Sequence, residues 1–179
     1  HAGRFPHNKN RRMHLLSTQA VGDMSVAIYA LKASAEEYAR MEQAITLAAQ
    51  CPPSKGAYSV GAVIVTEDGQ VFTGYSRETA PTNHAEEEAI LKAIRAGSRL
   101  TGATVYSSME PCTTRKSKPA SCSELIILHR MKRVVFAAYE PPTFVTCLGE
   151  AVLRQAGIEV TILSDLAQKA LDVNRHLAK

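Results

Sequence analysis

His84, Glu86, Cys112 and Cys122 are the residues of this chain whose types and spacing can do chemistry together. His84-Ala85-Glu86 is one piece of a metal site, and Pro111-Cys112 with Cys122 is the other. An imidazole and two thiolates are ligands that suit zinc, and three protein ligands leave a fourth tetrahedral position for water, the arrangement of a catalytic rather than a closed structural zinc. Glu86 stands two residues from His84. Near a helix start the backbone can aim both side chains into one cleft, the imidazole at the metal and the carboxylate at the water, where a carboxylate moves protons. The expected metal ligands are His84, Cys112 and Cys122, the catalytic residue is Glu86, and the cofactor is one zinc ion per chain.

The elements that must position these groups follow from periodicity. Ser34 with Glu37 reads as a capping box before an apolar stripe of Tyr38, Met41, Ile45, Ala48 and Ala49, which predicts a helix over about 35–50, stopped by Cys51 and Pro52-Pro53. The segment before it, about 24–33, is helix-prone. Val60 and Ala62 to Val65 form a β-rich run, Glu67-Asp68-Gly69 turns the chain, and Gln70 to Tyr75 returns as an antiparallel partner. A helix over about His84 to Ala96 has Ala85, Ala89, Ile90, Ala93 and Ile94 at helical spacing, with Gly97 as its stop. Strands at 103–108, 133–137 and 158–163 then alternate with helices near 120–130 and 147–156, and a last helix starts at Ser164. This alternation implies an α/β fold, with helices on both faces of a mixed or parallel sheet.

Length and composition bound the rest. The 179 residues fit one domain, and 45% hydrophobic with 21% charged residues is ordinary for a globular protein. No apolar run approaches the roughly 18 residues of a membrane span. The net charge of +4 comes from the first fourteen residues, where Arg4, Lys9, Arg11 and Arg12 stand without an acid. A neutral body makes no case for a nucleic-acid surface. That arm, which also holds His1, His7 and His14, reads as an expression-derived or processed leader. The organisation is therefore an N-terminal extension, 1–33, partly disordered or expression-derived, and a catalytic domain over 34–179. The four cysteines read as reduced thiols, and the expected location is cytoplasmic, with an organelle as the alternative.

The pattern H-x-E followed by P-C and a further cysteine is the signature of zinc deaminases, in which the glutamate moves protons without binding the metal. With its order of elements, the sequence over about 35–179 resembles the cytidine-deaminase-like superfamily. The resemblance implies a three-layer α/β/α sandwich around a five-stranded mixed sheet, with self-association as a homodimer or higher oligomer. Nine residues separate Cys112 from Cys122, where nucleoside and tRNA deaminases have P-C-x-x-C. Such long spacing resembles the riboflavin-pathway pyrimidine deaminases. Bacterial members carry a Gly-Arg-Thr-Pro-Pro loop there, whereas this loop resembles the fungal type, with Arg115 and Ser117 at its arginine and serine. Ser76-Arg77-Glu78, Met109-Glu110-Pro111-Cys112 and Pro142-Thr143-Phe144-Val145 are similar to that type as well. The fungal Asn-Thr-His-Ala-Glu is here Thr82-Asn83-His84-Ala85-Glu86, with the asparagine one place later.

What the resemblance implies is a hydrolase acting on a phosphorylated aminopyrimidine, 2,5-diamino-6-(ribosylamino or ribitylamino)-4(3H)-pyrimidinone 5'-phosphate. It contacts Arg77, Glu78, Asn83, Arg115, Lys116, Ser117 and Lys118. Where bacterial relatives continue into a reductase, this chain stops at Lys179, which reads as a stand-alone deaminase. A cytidine, deoxycytidylate or guanine-type deaminase is the alternative enzyme, and a nucleic-acid editor or zinc-dependent interaction module is the alternative class. No nucleic acid or membrane is expected as a partner. Arg115, Lys116 and Lys118 are either a solvated run or, because they lie between two ligands, a phosphate-binding rim. Cys51, Cys147, His129 and His176 read as packing or surface residues. Glu87 and Glu88 read as a solvated helix face.

Overall fold

A computed structural model of the chain describes residues 12–21, 24–142 and 146–177. His1, Arg4, His7, Lys9 and Arg11 of the basic arm and Thr143 to Val145 lie outside the described residues. Two units divide the chain at Tyr38 and Ala39. In the first, β1 (Arg12–Val21) and β2 (Met24–Lys32) pair antiparallel, from Arg12 opposite Lys32 to Val21 opposite Met24. The helix expected over 24–33 is therefore a strand. Val26, Ile28 and Tyr29 favour extended backbone, and a partner strand that local periodicity does not reveal decides the outcome. The capping box forms as expected: Ser34 N donates to Glu37 Oε2 at 2.8 Å and Glu37 N to Ser34 Oγ at 3.3 Å, opening α1 (Ala35–Ala48).

The second unit is built on a five-stranded sheet of β3 (Gly61–Val65), β4 (Val71–Tyr75), β5 (Thr104–Met109), β6 (Arg133–Ala138) and β7 (Glu159–Ile162), in the order β4-β3-β5-β6-β7. β3 runs antiparallel to β4 and β5, and β5, β6 and β7 are mutually parallel. The expected β3–β4 turn is closed by Thr66 N to Gln70 O at 2.9 Å, with Gly69 at φ 88°, a left-handed conformation that glycine tolerates.

Two glycines show how the helices sit on opposite faces. A Cβ on Gly61 would lie 1.9 Å from Ala44 O of α1, and one on Gly74 would lie 2.3 Å from Ala85 O of α2 (Ala85–Arg95). Gly61 pairs with Tyr75 and Ala62 with Gly74, so the two glycines point to opposite sides of the pleat. Ile64, Val105, Val134 and Val160 line the α2 face, with Ala89, Ile90 and Ala93 of α2, Ile126 of α3 (Cys122–Leu128) and Leu153 of α4 (Gly149–Gln155) packed on them. On the other face Lys169 of α5 (Ala167–Asp172) pairs with Glu42 of α1. The three-layer α/β/α sandwich with a mixed sheet is thus the observed fold. The predicted C-terminal helix starts as a 3₁₀ turn at Ser164–Leu166 and ends in another at Arg175–Leu177. Among the described residues no helix is long and apolar enough to cross a membrane.

The parallel strands β5 and β6 both end at one edge of the sheet. Open α/β sheets bind ligands outside the carboxyl ends of their strands, and the segments leaving β5 and β6 here carry Cys112 and Glu140.

Candidate active site

His84 is extended, at φ −87° and ψ 162°, as the residue before α2. Its backbone N donates to Glu87 Oε2 at 3.4 Å, and the helix begins immediately after it. Glu86, one residue into the helix after Ala85, thereby opens on the same side as the imidazole. Cys112 follows β5 through Glu110 and Pro111, a segment fixed at both sides: Glu110 N donates to Ala138 O at 2.8 Å, and Glu110 Oε1 accepts from Glu150 N at 2.9 Å. Cys122 is the first residue of α3, placed by a second capping box in which Glu124 N donates to Ser121 Oγ at 3.2 Å and Ser121 N to Glu124 Oε2 at 2.7 Å.

The three donors converge. His84 Nδ1 lies 3.5 Å from Cys112 Sγ and 3.4 Å from Cys122 Sγ, and all three ligand atoms lie within 4.8 Å of one another. Zn–N near 2.0–2.1 Å and Zn–S near 2.3 Å in a tetrahedron require N to S separations of about 3.5 Å. The donor set and its spacing therefore fit zinc. Electrostatics agrees with a ligand role: a hydrogen bond from Cys122, with help from His84, holds the Cys112 thiol well below its ordinary range. The hydrogen bond to Cys112 and burial push Cys122 up. Burial alone would lower the His84 imidazole, but the hydrogen bond and charge of Cys112 raise it. Burial, then the charge of Cys112, raises the Glu86 carboxyl, which is 3% exposed and accepts from Ser107 Oγ at 3.0 Å.

His84, Glu86 and Cys112 open on a cavity of about 330 Å³ that Arg77, Asn83, Arg115, Lys116 and Ser117 also line. Asn83 is buried, with Oδ1 lacking a hydrogen-bond partner among the described residues. Arg115 departs from the projecting rim expected of its loop. Its side chain is 1% exposed, Nη2 donates to Thr82 O at 2.6 Å and Glu87 Oε2 at 2.9 Å, and Nε and Nη1 have no partner among the described residues. Arg77, at φ 63°, spends its guanidinium on Pro52 O, Tyr58 O and Ser59 Oγ at 2.8–3.2 Å. Glu78 and Lys118 are not among the cavity-lining residues: Glu78 pairs with Lys92 at 2.5 Å and Lys118 with Glu87 at 3.3 Å.

Glu87 and Glu88 are not the solvated face that helix geometry suggested. Glu87 holds Arg115 and Lys118, and Glu88, 1% exposed, accepts from Thr79 N at 2.8 Å and Thr79 Oγ1 at 2.9 Å. Loops returning over α2 cover both. Cys51 and Cys147 are half-buried thiols donating to Val60 O and Pro111 O, and His129 caps α3. Sequence reasoning missed Glu140, a cavity carboxyl that burial and the charge of Cys112 push up to about 7. Its place just past the buried strand β6 was the available signal.

The model of the family "Cytidine and deoxycytidylate deaminase zinc-binding region" matches residues 34–138, more than half of the chain. A diaminohydroxyphosphoribosylamino-pyrimidine deaminase of Schizosaccharomyces pombe is 46% identical over 127 residues, 70% of this chain and 31% of that protein. A RibD riboflavin biosynthesis protein of Aquifex aeolicus is 41% identical over 104 residues, 58% of this chain and 28% of that one. The chain thus spans about a third of the length of these relatives. Among solved structures, Aspergillus oryzae Rib2 deaminase in complex with DARIPP superposes with a TM-score of 0.67 at 26% identity, over 76% of this chain and 88% of that one.

Proposed function

Because the chain belongs to the cytidine and deoxycytidylate deaminase zinc-binding family, we propose that it is a hydrolytic deaminase of a phosphorylated aminopyrimidine in riboflavin biosynthesis. The substrate is 2,5-diamino-6-(ribosylamino or ribitylamino)-4(3H)-pyrimidinone 5'-phosphate. The names of the fission yeast and Aquifex relatives and the DARIPP complex of the Aspergillus enzyme support this substrate class. One observation carries the reading: the buried Glu86 carboxyl, His84 and Cys112 of a zinc-type donor set completed by Cys122, and the buried Arg115 line one cavity.

His84, Cys112 and Cys122 would hold zinc, which when bound supplies Lewis acidity that lowers the pKa of water toward neutrality. Glu86 takes one proton of the water that attacks the amino-bearing ring carbon and gives it to the ring nitrogen; it then takes the proton of the new hydroxyl and delivers it to the amine, which leaves as ammonia as the carbonyl forms. Its raised pKa suits a group that must both accept and return a proton near neutral pH. Arg115 supplies positive charge to the phosphate from the cavity lining, with Lys116 and Ser117 beside it. Asn83 borders the substrate from the cavity lining. Arg77 shapes the wall, while Glu78 and Lys118 act at a distance through Lys92 and Glu87. Residues 34–179 form the deaminase domain and 1–33 an extension. The four cysteines, all free thiols, suit the reducing cytoplasm. Self-association into a homodimer or larger oligomer rests on resemblance, and sedimentation at micromolar concentration tests it.

The decisive experiment is ammonia release by the zinc-replete protein over a panel: the phosphorylated diaminopyrimidines, their dephosphorylated forms, cytidine, deoxycytidylate and guanine. Turnover is expected with the phosphorylated diaminopyrimidines. Turnover of cytidine alone overturns the substrate. Glu86→Gln keeps zinc and loses roughly 10²–10⁴-fold in turnover, and wild-type activity in that variant overturns the mechanism.

A further inference from the structure

β5 reads Thr-Val-Tyr-Ser-Ser-Met, and every residue after Thr104 is buried. Two adjacent serines are an odd choice for the third strand of a five-stranded sheet, because a buried hydroxyl without a partner costs stability and a β-branched apolar side chain would pack better. Each serine must therefore have a partner, and the alternation of a strand sends the two to opposite faces. Ser108 faces the α1 side, where its Oγ accepts from Gly61 N at 3.1 Å and ties β5 to the start of β3. That role is structural. Ser107 lies level with Ala62 of β3 and Phe136 of β6, on the α2 side, and is 0% exposed. Its hydroxyl donates to Glu86 Oε1 at 3.0 Å.

We propose that Ser107 is a positioning residue for the deamination, fixing the Glu86 carboxylate so that Oε1 is engaged by the sheet and Oε2 carries the proton. The inference rests on the proposed role of Glu86. A carboxylate in the first turn of a helix has rotational freedom about its terminal torsion, which is broad and roughly two-fold. A single donor from a rigid central strand removes that freedom, and proton transfer is sensitive to such placement because the reacting atoms must meet within about 3–3.5 Å. The sheet supplies the rigidity: β5 is hydrogen-bonded on both sides, to β3 and to β6. Ser107 does not line the cavity, so it acts on the substrate only through Glu86.

The test compares Ser107→Ala and Ser107→Thr with the wild type in the ammonia assay, with zinc content by elemental analysis and thermal midpoint as parallel readouts. Ser107→Ala is expected to lower kcat about 10- to 100-fold, the span of one hydrogen bond to a charged group. KM and zinc stoichiometry should stay at wild-type values. Ser107→Thr keeps the hydroxyl and should recover most of the turnover. A kcat within twofold of wild type in Ser107→Ala overturns the inference. So does a loss of activity that follows zinc content or KM, which marks a packing role. If the threonine variant loses its thermal midpoint, Ser107→Cys takes its place, with turnover expected between those of alanine and wild type, and a cysteine no better than alanine counts against the inference. Should Glu86→Gln prove fully active, the role of Glu86 fails; should Glu86→Gln be inactive while Ser107→Ala is not, only the present inference fails.

Discussion

Arg115 and Glu87 are joined by a 2.9 Å ion pair in which the arginine side chain is 1% exposed and the glutamate 14%. The arginine lines the cavity while Nη2 is held by Glu87 and Thr82 O, and its Nε and Nη1 are buried without a partner among the described residues. Lys118 reaches the same carboxylate at 3.3 Å and is itself 33% exposed. Two cations three residues apart in the sequence thus have different standing, and removing each should have a different effect.

Arg115→Met should raise KM for the phosphorylated substrate about tenfold or more, the worth of a charge-assisted hydrogen bond. For the dephosphorylated compound the change should be small. Lys118→Ala should cost less than Arg115→Met with either compound. Steady-state kinetics on both substrates reads this out, and equal penalties for the two compounds would remove the phosphate contact from Arg115.

Burial pushes the Glu87 carboxyl up, but the hydrogen bond and charge of Arg115, joined by Lys118, more than offset it and hold it below the ordinary value of 4.5. A carboxyl depressed in the folded state stabilises the fold fully above its unfolded pKa and ceases to do so as pH falls through the folded one. Glu87→Gln should therefore lower stability at pH 7 by about 1 kcal/mol, roughly 2–4 °C in Tm. The gap from wild type should close as pH falls below 4.5. Thermal melts of both proteins from pH 7 to pH 3 check it, and a gap that stays constant would assign the pair a packing role only.

Cys112→Ala and Cys122→Ala should each lose zinc and activity together, because two remaining ligands hold the ion poorly. Glu86→Gln should keep full zinc occupancy. Elemental analysis separates the cases, and full occupancy in either alanine variant would refute the ligand set.

Asn174 is buried past α5, where Oδ1 accepts from Ser59 N at 2.6 Å and Nδ2 donates to Ser59 O at 2.9 Å. Ser59 Oγ in turn accepts from Arg77 at 3.1 Å on the cavity wall. Asn174→Ala should lower Tm by about 4 °C or more, since two buried backbone groups lose their partner. It should raise KM more than it lowers kcat, because the wall moves and Glu86 does not. A fall in kcat at constant KM would contradict that assignment.

What could be read along the chain was local or periodic. The Ser34–Glu37 capping box, the Gly69 turn and the Ala85, Ala89, Ile90 and Ala93 stripe of α2 each depend on residues close along the chain and stand where expected, whereas Ile94, counted with that stripe, is 50% exposed. The ligand set was legible because zinc chemistry restricts residue type as strongly as position. Met24–Lys32 is a strand and not a helix because pairing with Arg12–Val21 decides its conformation, and no local period encodes that pairing. Glu88 and Arg115 were misjudged for a related reason. Helical geometry gives the direction of a side chain, but the loop that comes back to cover it follows no period, so the burial of Glu88 beneath Thr79 left no trace in the spacing. Ser107 did leave one, as a hydroxyl at a core position of a strand.

The loop between the two cysteines has a consequence for how such an enzyme changes over time. Its nine residues are anchored at both ends by ligands and at neither by the sheet. Doubling the length of a flexible loop adds only about 0.6 kcal/mol of closure entropy. The exposed positions of this segment, such as Lys116 and Pro119, can be rewritten without disturbing the strands, provided the Arg115–Glu87 pair and the Ser121 cap that places Cys122 are kept. The proposed phosphate contact of that loop makes it the place where a change of substrate range is expected, and grafting a foreign loop between fixed cysteines tests it.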